Sequence, residues 1–381
     1  MVSYLGNPPT LLRKVTKMST AAREPLRVGL IGAGFMGRQH AEYIVRNPDC
    51  VLAGIADPFT AAVADELGVP SFIDHRELLA QPGLDAVVIA NPNNLHVDTA
   101  IDCVDAGVAA LLEKPVSPDY SEVLRLMAAV EASAVPVLVG QHRRHHPSIT
   151  VARNMVQGGE LGRLIAVNGM WAARKEDAYF DEEWHRSNGA GVMLINLVHD
   201  LDLLRYICGE IVTVQAALSH EARGLEVEDT VSMVVRFENG ALGSFIASDA
   251  AASPWGWDQS TEDFNSFPFL PDNAAYFLAG SAGSLAVPNL AHYFYSGSEA
   301  NWHHPLSRRY VEKGTGDSYT RQMAHFVEVV RGEANPIVSV PDAAQTLALV
   351  EAAREAGESG GTVTVADYVR RHSAAGRGAR S

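Results

Sequence analysis

The sequence is poor in cysteine: three in 381 residues, Cys50, Cys103 and Cys208, widely spaced and without a CxxC pair. This argues against a disulfide framework or a zinc ribbon and suits a reducing, cytoplasmic setting. No apolar run approaches the ~18–20 residues of a membrane span. Positive charge is scarce too, with 30 Lys and Arg against 45 Asp and Glu and a formal net charge of −15. A surface of that sign is not built to neutralise nucleic-acid phosphates or to lie on an anionic membrane. There is no internal repeat. Residues 1–25 lack the compact apolar core of a secretory signal and, with a second candidate start at Met18, read as a flexible tail. What is present is an ordinary globular composition, 47% hydrophobic and 20% charged, long enough for two domains.

Apolar runs and helical patterns alternate from residue 26. Leu26–Ile31, Val51–Ala56, Asp85–Ala90, Ala109–Leu112 and Val135–Gly140 read as strands, with helical patterns at 36–46, 60–67, 96–106 and 121–133. This is the spacing of βαβ units, so residues 26–144 predict a parallel sheet covered on both faces. From 145 the texture changes. Helical patterns at 148–157 and 191–206 flank longer strand patterns at 164–172, 211–218, 229–237, 241–247, 275–278 and 284–287, with a hairpin signal at Asn239-Gly240. Residues 145–366 therefore predict a second α/β domain with a mainly antiparallel open sheet. Stretches 249–274 and 291–317 read as loops, 319–331 and 343–356 as closing helices, and 367–381 as a polar flexible tail.

The sharpest local motif is Gly32-Ala33-Gly34-Phe35-Met36-Gly37, placed between a predicted strand and a predicted helix. Gly32 serves the tight turn, Gly34 the approach of backbone to a pyrophosphate, and Gly37 close helix packing. Asp57 follows Gly37 at the end of the second strand, where a carboxylate accepts from ribose hydroxyls and repels a 2′-phosphate. Together these residues predict a Rossmann dinucleotide site that prefers NAD to NADP.

Three further segments resemble one family in chain order. Asn91-Pro92-Asn93-Asn94-Leu95-His96 is similar to its TPNxxH segment, Glu113-Lys114-Pro115 to its EKP signature, and Gly189–Asp202 to its GGGxxxDxGxHxxD helix. The chain thus resembles the Gfo/Idh/MocA oxidoreductases (glucose–fructose oxidoreductase, inositol dehydrogenase and relatives) from about Arg27 to Val365. The resemblance implies a Rossmann domain, then an α/β domain whose open sheet often joins subunits, and hence a homo-oligomer, dimer or tetramer. It implies hydride transfer between a nicotinamide cofactor and a secondary alcohol or ketone of a small sugar, sugar acid or cyclitol. It puts Lys114 and His199 in the catalytic set, and Asn91, Pro92, Asn93, His96, Glu113 and Gln141 beside the cofactor.

Alcohol oxidation needs the hydroxyl proton removed as the hydride leaves. The sequence reading gives the base to His199, whose ordinary pKa is near neutral, and polarisation of the oxygen to Lys114. One departure stands out: Ile195 occupies the position of the family's aspartate, followed by Asn196. Asn196, Arg144 of an RRxxP segment, Trp184 and Asp202 are the candidate substrate contacts. His142, His145 and His146 sit on irregular backbone without a cysteine, and no metal site is expected. The aromatic, acidic stretch Trp255–Phe269 reads as a substrate lid or subunit contact. Competing readings are a dihydrodiol dehydrogenase of the same fold and a non-catalytic NAD-binding sensor.

Overall fold

Six strands pair in parallel to make the first sheet of the computed structural model, which describes residues 23–187, 190–264, 266–297 and 299–378. They are β1 (Leu26–Ile31), β2 (Cys50–Ala56), β3 (Ser71–Phe72), β4 (Ala86–Ile89), β5 (Ala109–Leu112) and β6 (Val137–Val139), in spatial order 3-2-1-4-5-6. Every residue of β4, β5 and β6 is buried, as expected for strands covered on both faces. The covering helices are α1 (Phe35–Arg46), α2 (Ala62–Leu67), α3 (His75–Leu79), α4 (His96–Asp105) and α5 (Tyr120–Ala132). The strand order reverses between β1 and β4, and the carboxyl ends of those strands open a crevice there. The expectations miss only β3 and α3, whose two and five residues are too short to show a period.

After α6 (Pro147–Gln157) the chain builds a second sheet of nine strands. These are β7 (Leu164–Ala172), β8 (Ile211–Ser219), β9 (Thr230–Phe237), β10 (Leu242–Ser248), β11 (Tyr276–Gly280), β12 (Gly283–Val287), β13 (Ala291–Phe294), β14 (Ser307–Tyr310) and β15 (Val363–Thr364). Their order is 14-13-12-11-7-10-9-8-15, antiparallel throughout except where β10 runs parallel to β7. β9 alternates buried and exposed residues along its length, so one sheet face packs inward and the other faces out. Gly240, at φ +87°, turns the expected β9–β10 hairpin. α10 (Val340–Ser359) packs on β8 and on α7 (Val198–Cys208), whose Asp200 meets Tyr276 of β11, and α6 packs on β12. α9 (Ser318–Val330) lies against the 142–145 turn and α1, and α8 (Trp257–Ser260) is a single turn.

Several expectations are corrected. Residues 291–317 are not all loop, because β13 and β14 extend the sheet edge there. Residues 257–263 are not a lid: Trp257 is fully buried, its Nε1 donates to Asp263, and Asp258 accepts from Trp171 Nε1 at 2.8 Å. The flexible tail expected from 367 begins instead as helix α11 (Val365–Gly378), held by buried Tyr368 against the ring of Tyr120. The tail expected at 1–25 lies, up to residue 22, outside the described residues, as do 379–381, Asn188 and Gly189. Among the described residues no helix is long and apolar enough to cross a membrane.

The C-terminal helices return to the first sheet. Val139 N, on edge strand β6, donates to Val338 O, and Tyr43 of α1 stacks on Tyr319 of α9 at 5.4 Å.

Candidate active site

The turn after β1 is shaped by its glycines. Gly32 has φ +92°, and a Cβ there would lie 2.6 Å from the Ala90 backbone; a Cβ on Gly37 would lie 2.0 Å from Gly32 O. Gly34 differs, since nothing lies within 4 Å of its missing Cβ. The loop is therefore open on the Gly34 side, and Phe35 beside it is exposed. α1 starts at this opening with no side-chain cap and no acid in its first turn. Free N–H groups and the positive end of the helix dipole thus face a space that admits an anion.

Asp57 closes β2 and braces the same loop. Its Oδ2 accepts from Ala33 N at 2.8 Å, and its Oδ1 from Phe59 N at 2.8 Å and Thr60 N at 3.1 Å. Its half-buried carboxylate keeps acceptor capacity toward the crevice. Arg38, the cation one residue past Gly37, is paired with Glu66 at 2.7 Å.

Asn91, Pro92 and Asn93 leave β4 at the crevice, Pro92 and Asn93 exposed. His96 is buried behind them, with Nε2 2.9 Å from Asn91 O and Nδ1 2.7 Å from Pro115 O. Burial lowers its pKa, outweighing the two carbonyls that favour a proton. The ring ties the loop after β4 to the loop after β5. Glu113 behaves similarly. Its Oε1 lies 2.7 Å from His40 Nε2, and its Oε2 accepts from Lys114 N at 3.1 Å. Burial raises its pKa, but the His40 bond and nearby positive charge bring it below the ordinary value. The structure thus places Glu113 and His96 as braces of the cofactor crevice.

Lys114 leaves β5 at the carboxyl end of the sheet, and its Nζ donates to Ile195 O at 3.2 Å. Ile195 lies in a π-helical turn, Met193–Leu197, that leads into α7. Such turns are rare and frequent at functional sites. Glu228 holds the start of this turn, accepting from Met193 N at 3.0 Å, and its carboxylate fills the space where a Cβ of Gly191 would be. Ile195 and Asn196 are both partly exposed, and Asn196 Oδ1 has no hydrogen-bond partner among the described residues. His199 follows on α7, with Nδ1 3.0 Å from Gln141 Oε1, just past β6. Lys114 and Gln141 from the first sheet thus meet the π turn and His199 from the second half of the chain.

The electrostatics are lopsided. Burial, then Arg143 and Lys175, pull Lys114 down from the ordinary lysine value to about 8, against Glu113 and Asp258. Burial, then Lys114, Arg143 and His142, hold His199 well below the ordinary histidine value. Arg143 is buried, with NH1 3.3 Å from Asp200 Oδ1 and NH2 3.4 Å from Asp258 Oδ1. Tyr276 OH donates to Asp200, whose carboxyl burial raises to about 6. Sequence reasoning reaches Arg143 only through the RRxxP segment it shares with Arg144, and passes over Asp200, Asp258 and Tyr276 as site elements. The available signal was an acid at 258 inside an aromatic run, where a buried arginine would need a counter-charge.

Arg144 and Asp202 are corrected as substrate contacts. They form a buried two-pronged pair, Nε to Oδ2 at 2.7 Å and NH2 to Oδ1 at 2.6 Å, extended by Asp342, Arg205 and Thr346. This network ties the 142–145 turn to α7 and α10. The side chain of Trp184 lies outside what the structure describes. The three histidines diverge: His142 stacks on Tyr319 at 4.2 Å, His145 packs on His325, and His146 caps α6. Among the described residues no group of three or more His, Cys, Asp or Glu is placed to hold a metal.

Comparison with known proteins follows the same division. Residues 26–141 match a family described as oxidoreductase family, NAD-binding Rossmann fold, and residues 149–286 match the GFO/IDH/MocA C-terminal domain. The chain is 27% identical over 350 residues to scyllo-inositol 2-dehydrogenase (NAD(+)) of Bacillus subtilis, spanning 88% of this chain and 95% of that protein. It is 28% identical over 357 residues to myo-inositol 2-dehydrogenase of Thermotoga maritima, spanning 90% of this chain and all of that protein (100%). The solved structure of levoglucosan dehydrogenase in complex with NADH superposes with a TM-score of 0.74 at 24% identity, over 90% of this chain and 99% of that one.

Proposed function

This chain belongs to the Gfo/Idh/MocA oxidoreductases, and on that premise we propose that it is an NAD-dependent dehydrogenase of a secondary hydroxyl on a cyclitol or sugar. The observation that carries the reading is the convergence of Lys114 and His199 at the carboxyl end of the Rossmann sheet, Lys114 Nζ bonded to Ile195 O one turn before His199. Two relatives that span 88% and 90% of the chain are named inositol 2-dehydrogenases, which supports the cyclitol class.

The open side of Gly34 and the N-terminus of α1 suit the pyrophosphate, and Asp57 suits the ribose hydroxyls. Bound NAD supplies the hydride acceptor. The chain's own residues handle the proton. The sequence reading gives the base to His199, but the charges around the site support the reverse. A proton on His199 would sit among Lys114, Arg143 and His142 with no carboxylate to offset it. A proton moving from the hydroxyl to a neutral Lys114 amine restores the ammonium, and a group titrating near about 8 is matched to that exchange. As the substrate C–H bond gives up its hydride, the O–H electron pair forms the carbonyl and Lys114 Nζ keeps the proton. His199 Nε2, which has no protein partner among the described residues, then accepts a hydrogen bond from a neighbouring hydroxyl and orients the ring. Asn196, partly exposed beside Ile195, is a second polar side chain for a substrate to meet.

The open face of the second sheet supports a homo-oligomer. Phe277, Asn168, Ser244 and Val234 lie side by side across four strands, all exposed, and Phe277 and Val234 keep 52% and 53% of their surfaces in solvent. Apolar side chains aligned on one sheet face fit a second copy of the same face. The three cysteines are buried and unpaired, in keeping with a cytoplasmic setting.

The test is reduction of NAD⁺ with inositols, sugars, sugar acids and cyclic dihydrodiols, followed by nicotinamide absorbance and repeated with NADP⁺. Turnover of an inositol or sugar with NAD⁺ is expected. Turnover confined to dihydrodiols would replace the substrate class. Cofactor binding without turnover in either direction would return the protein to a sensor.

A further inference from the structure

The resemblance implies an aspartate where this chain has Ile195, yet the lysine and histidine it would serve are both present. We propose that two neutral oxygens, the Gln141 side-chain amide and the Ile195 main-chain carbonyl, take that carboxylate's place, with Gln141 the positioning residue that fixes His199 with its proton on Nδ1. This rests on the reading that Lys114 and His199 face the substrate.

The geometry carries it. An amide oxygen only accepts, so the 3.0 Å contact with Gln141 Oε1 requires the proton on His199 Nδ1. The lone pair is then on Nε2, the nitrogen left without a protein partner among the described residues. Gln141 is itself buried and held at both ends of its backbone: its N–H donates to Val139 O, and its carbonyl accepts from Arg144 N. Lys114 finds its acceptor in Ile195 O rather than in a side chain at that position. Hence residue 195 still serves the lysine through its backbone, although its side chain is apolar.

The exchange of an anion for two neutral acceptors changes the charge of the pair. The groups facing His199 are Lys114 from the loop after β5 and Arg143 and His142 from the turn after β6, all cationic or neutral. The acids on its own helix are engaged elsewhere, Asp200 with Arg143 and Tyr276, Asp202 with Arg144. His199 therefore stays neutral and acts as a fixed acceptor, which leaves Lys114 to carry the proton. A carboxylate at 195 or 141 would instead hold a second proton on the ring.

The deciding experiment is nitrogen NMR of the full-length, NAD-bound protein labelled with ¹⁵N-histidine, with His199 assigned by its loss in His199→Asn. We expect the Nδ1–H tautomer, with no titration of the ring through the neutral range. Gln141→Leu should mix the two tautomers and lower kcat by about ten- to a hundredfold. Gln141→Glu, nearly the same shape, should restore the single tautomer, raise the pKa of His199 and add an acid limb to the kcat/KM profile. An Nε2–H tautomer in the native protein would overturn the proposal. So would a Gln141→Leu variant that keeps tautomer and kcat while losing only NAD affinity. The tautomer is read without turnover, so failure of the substrate reading and failure of the positioning reading give different results.

Discussion

His199 Nδ1 lies 3.0 Å from the amide oxygen of Gln141, a contact between helix α7 of the second half of the chain and the turn that follows β6, the last strand of the first sheet. Through it the orientation of the imidazole depends on how the two halves are packed. Lys114 makes the matching contact in the other direction, from the Rossmann sheet to Ile195 O. The site is therefore shared equally between the halves, and its chemistry should respond to changes on either side.

Lys114→Ala is expected to keep NAD binding, measured by calorimetry, and to lose about 10²–10⁴-fold in kcat. Near-normal turnover in this variant would remove Lys114 from the mechanism.

The pH dependence has a defined sign. Lys114 is lowered to about 8, so its amine is charged below that value and neutral above it. If it accepts the hydroxyl proton, kcat/KM for alcohol oxidation rises through about 8, while ketone reduction, which needs the ammonium, falls over the same range. A fall in oxidation across that range would restore the base to His199, with Lys114 acting only as the charged donor.

Asp57→Asn keeps one acceptor oxygen, for either Ala33 N or the Phe59 and Thr60 N–H pair, and removes the charge. The ratio of kcat/KM for NAD⁺ to that for NADP⁺ should drop by about tenfold, since the carboxylate no longer repels a 2′-phosphate. An unchanged ratio would move the origin of cofactor preference away from Asp57.

Arg144→Met removes the shared partner of Asp202 and Asp342. It leaves a buried carboxylate with less compensation, a loss of about 3–5 kcal/mol that urea denaturation would read. If stability holds while KM rises sharply, Arg144 is a substrate contact after all.

Val234→Glu combined with Phe277→Glu puts charge on the exposed sheet face without touching the cleft. Light scattering should show a shift to monomer. An oligomer that survives both changes uses another surface.

Most of the first half was legible because its strands are buried on both sides and read as continuous apolar runs, as Ala109–Leu112 does. The glycines were legible because each has a local steric task that a one-dimensional motif preserves. The partners of Lys114 and His199 were not. A backbone carbonyl has no sequence signature, and Gln141 becomes a ring partner only when strand β6 and helix α7 are brought together. Arg144 and Asp202 misled for the same reason: a charged residue near a family motif looks functional until its counter-charge is found 58 residues away. α11 was missed because its apolar residues are few, and Tyr368 gains its partner from α5.

The bond from Val139 N to Val338 O has a bearing on how this protein is made. Strand β6 is the open margin of the first sheet, and the residue that satisfies it is synthesised almost two hundred positions later. While the ribosome is still building the second sheet, that margin offers an unpaired strand to any neighbour, and the surface of α1 that Tyr319 will cover is bare. A fragment ending after β6 would carry the same exposed margin permanently. Two regions distinct to the eye are thus one unit to the chaperones, and the nucleotide-binding half should be purified only as part of the whole chain.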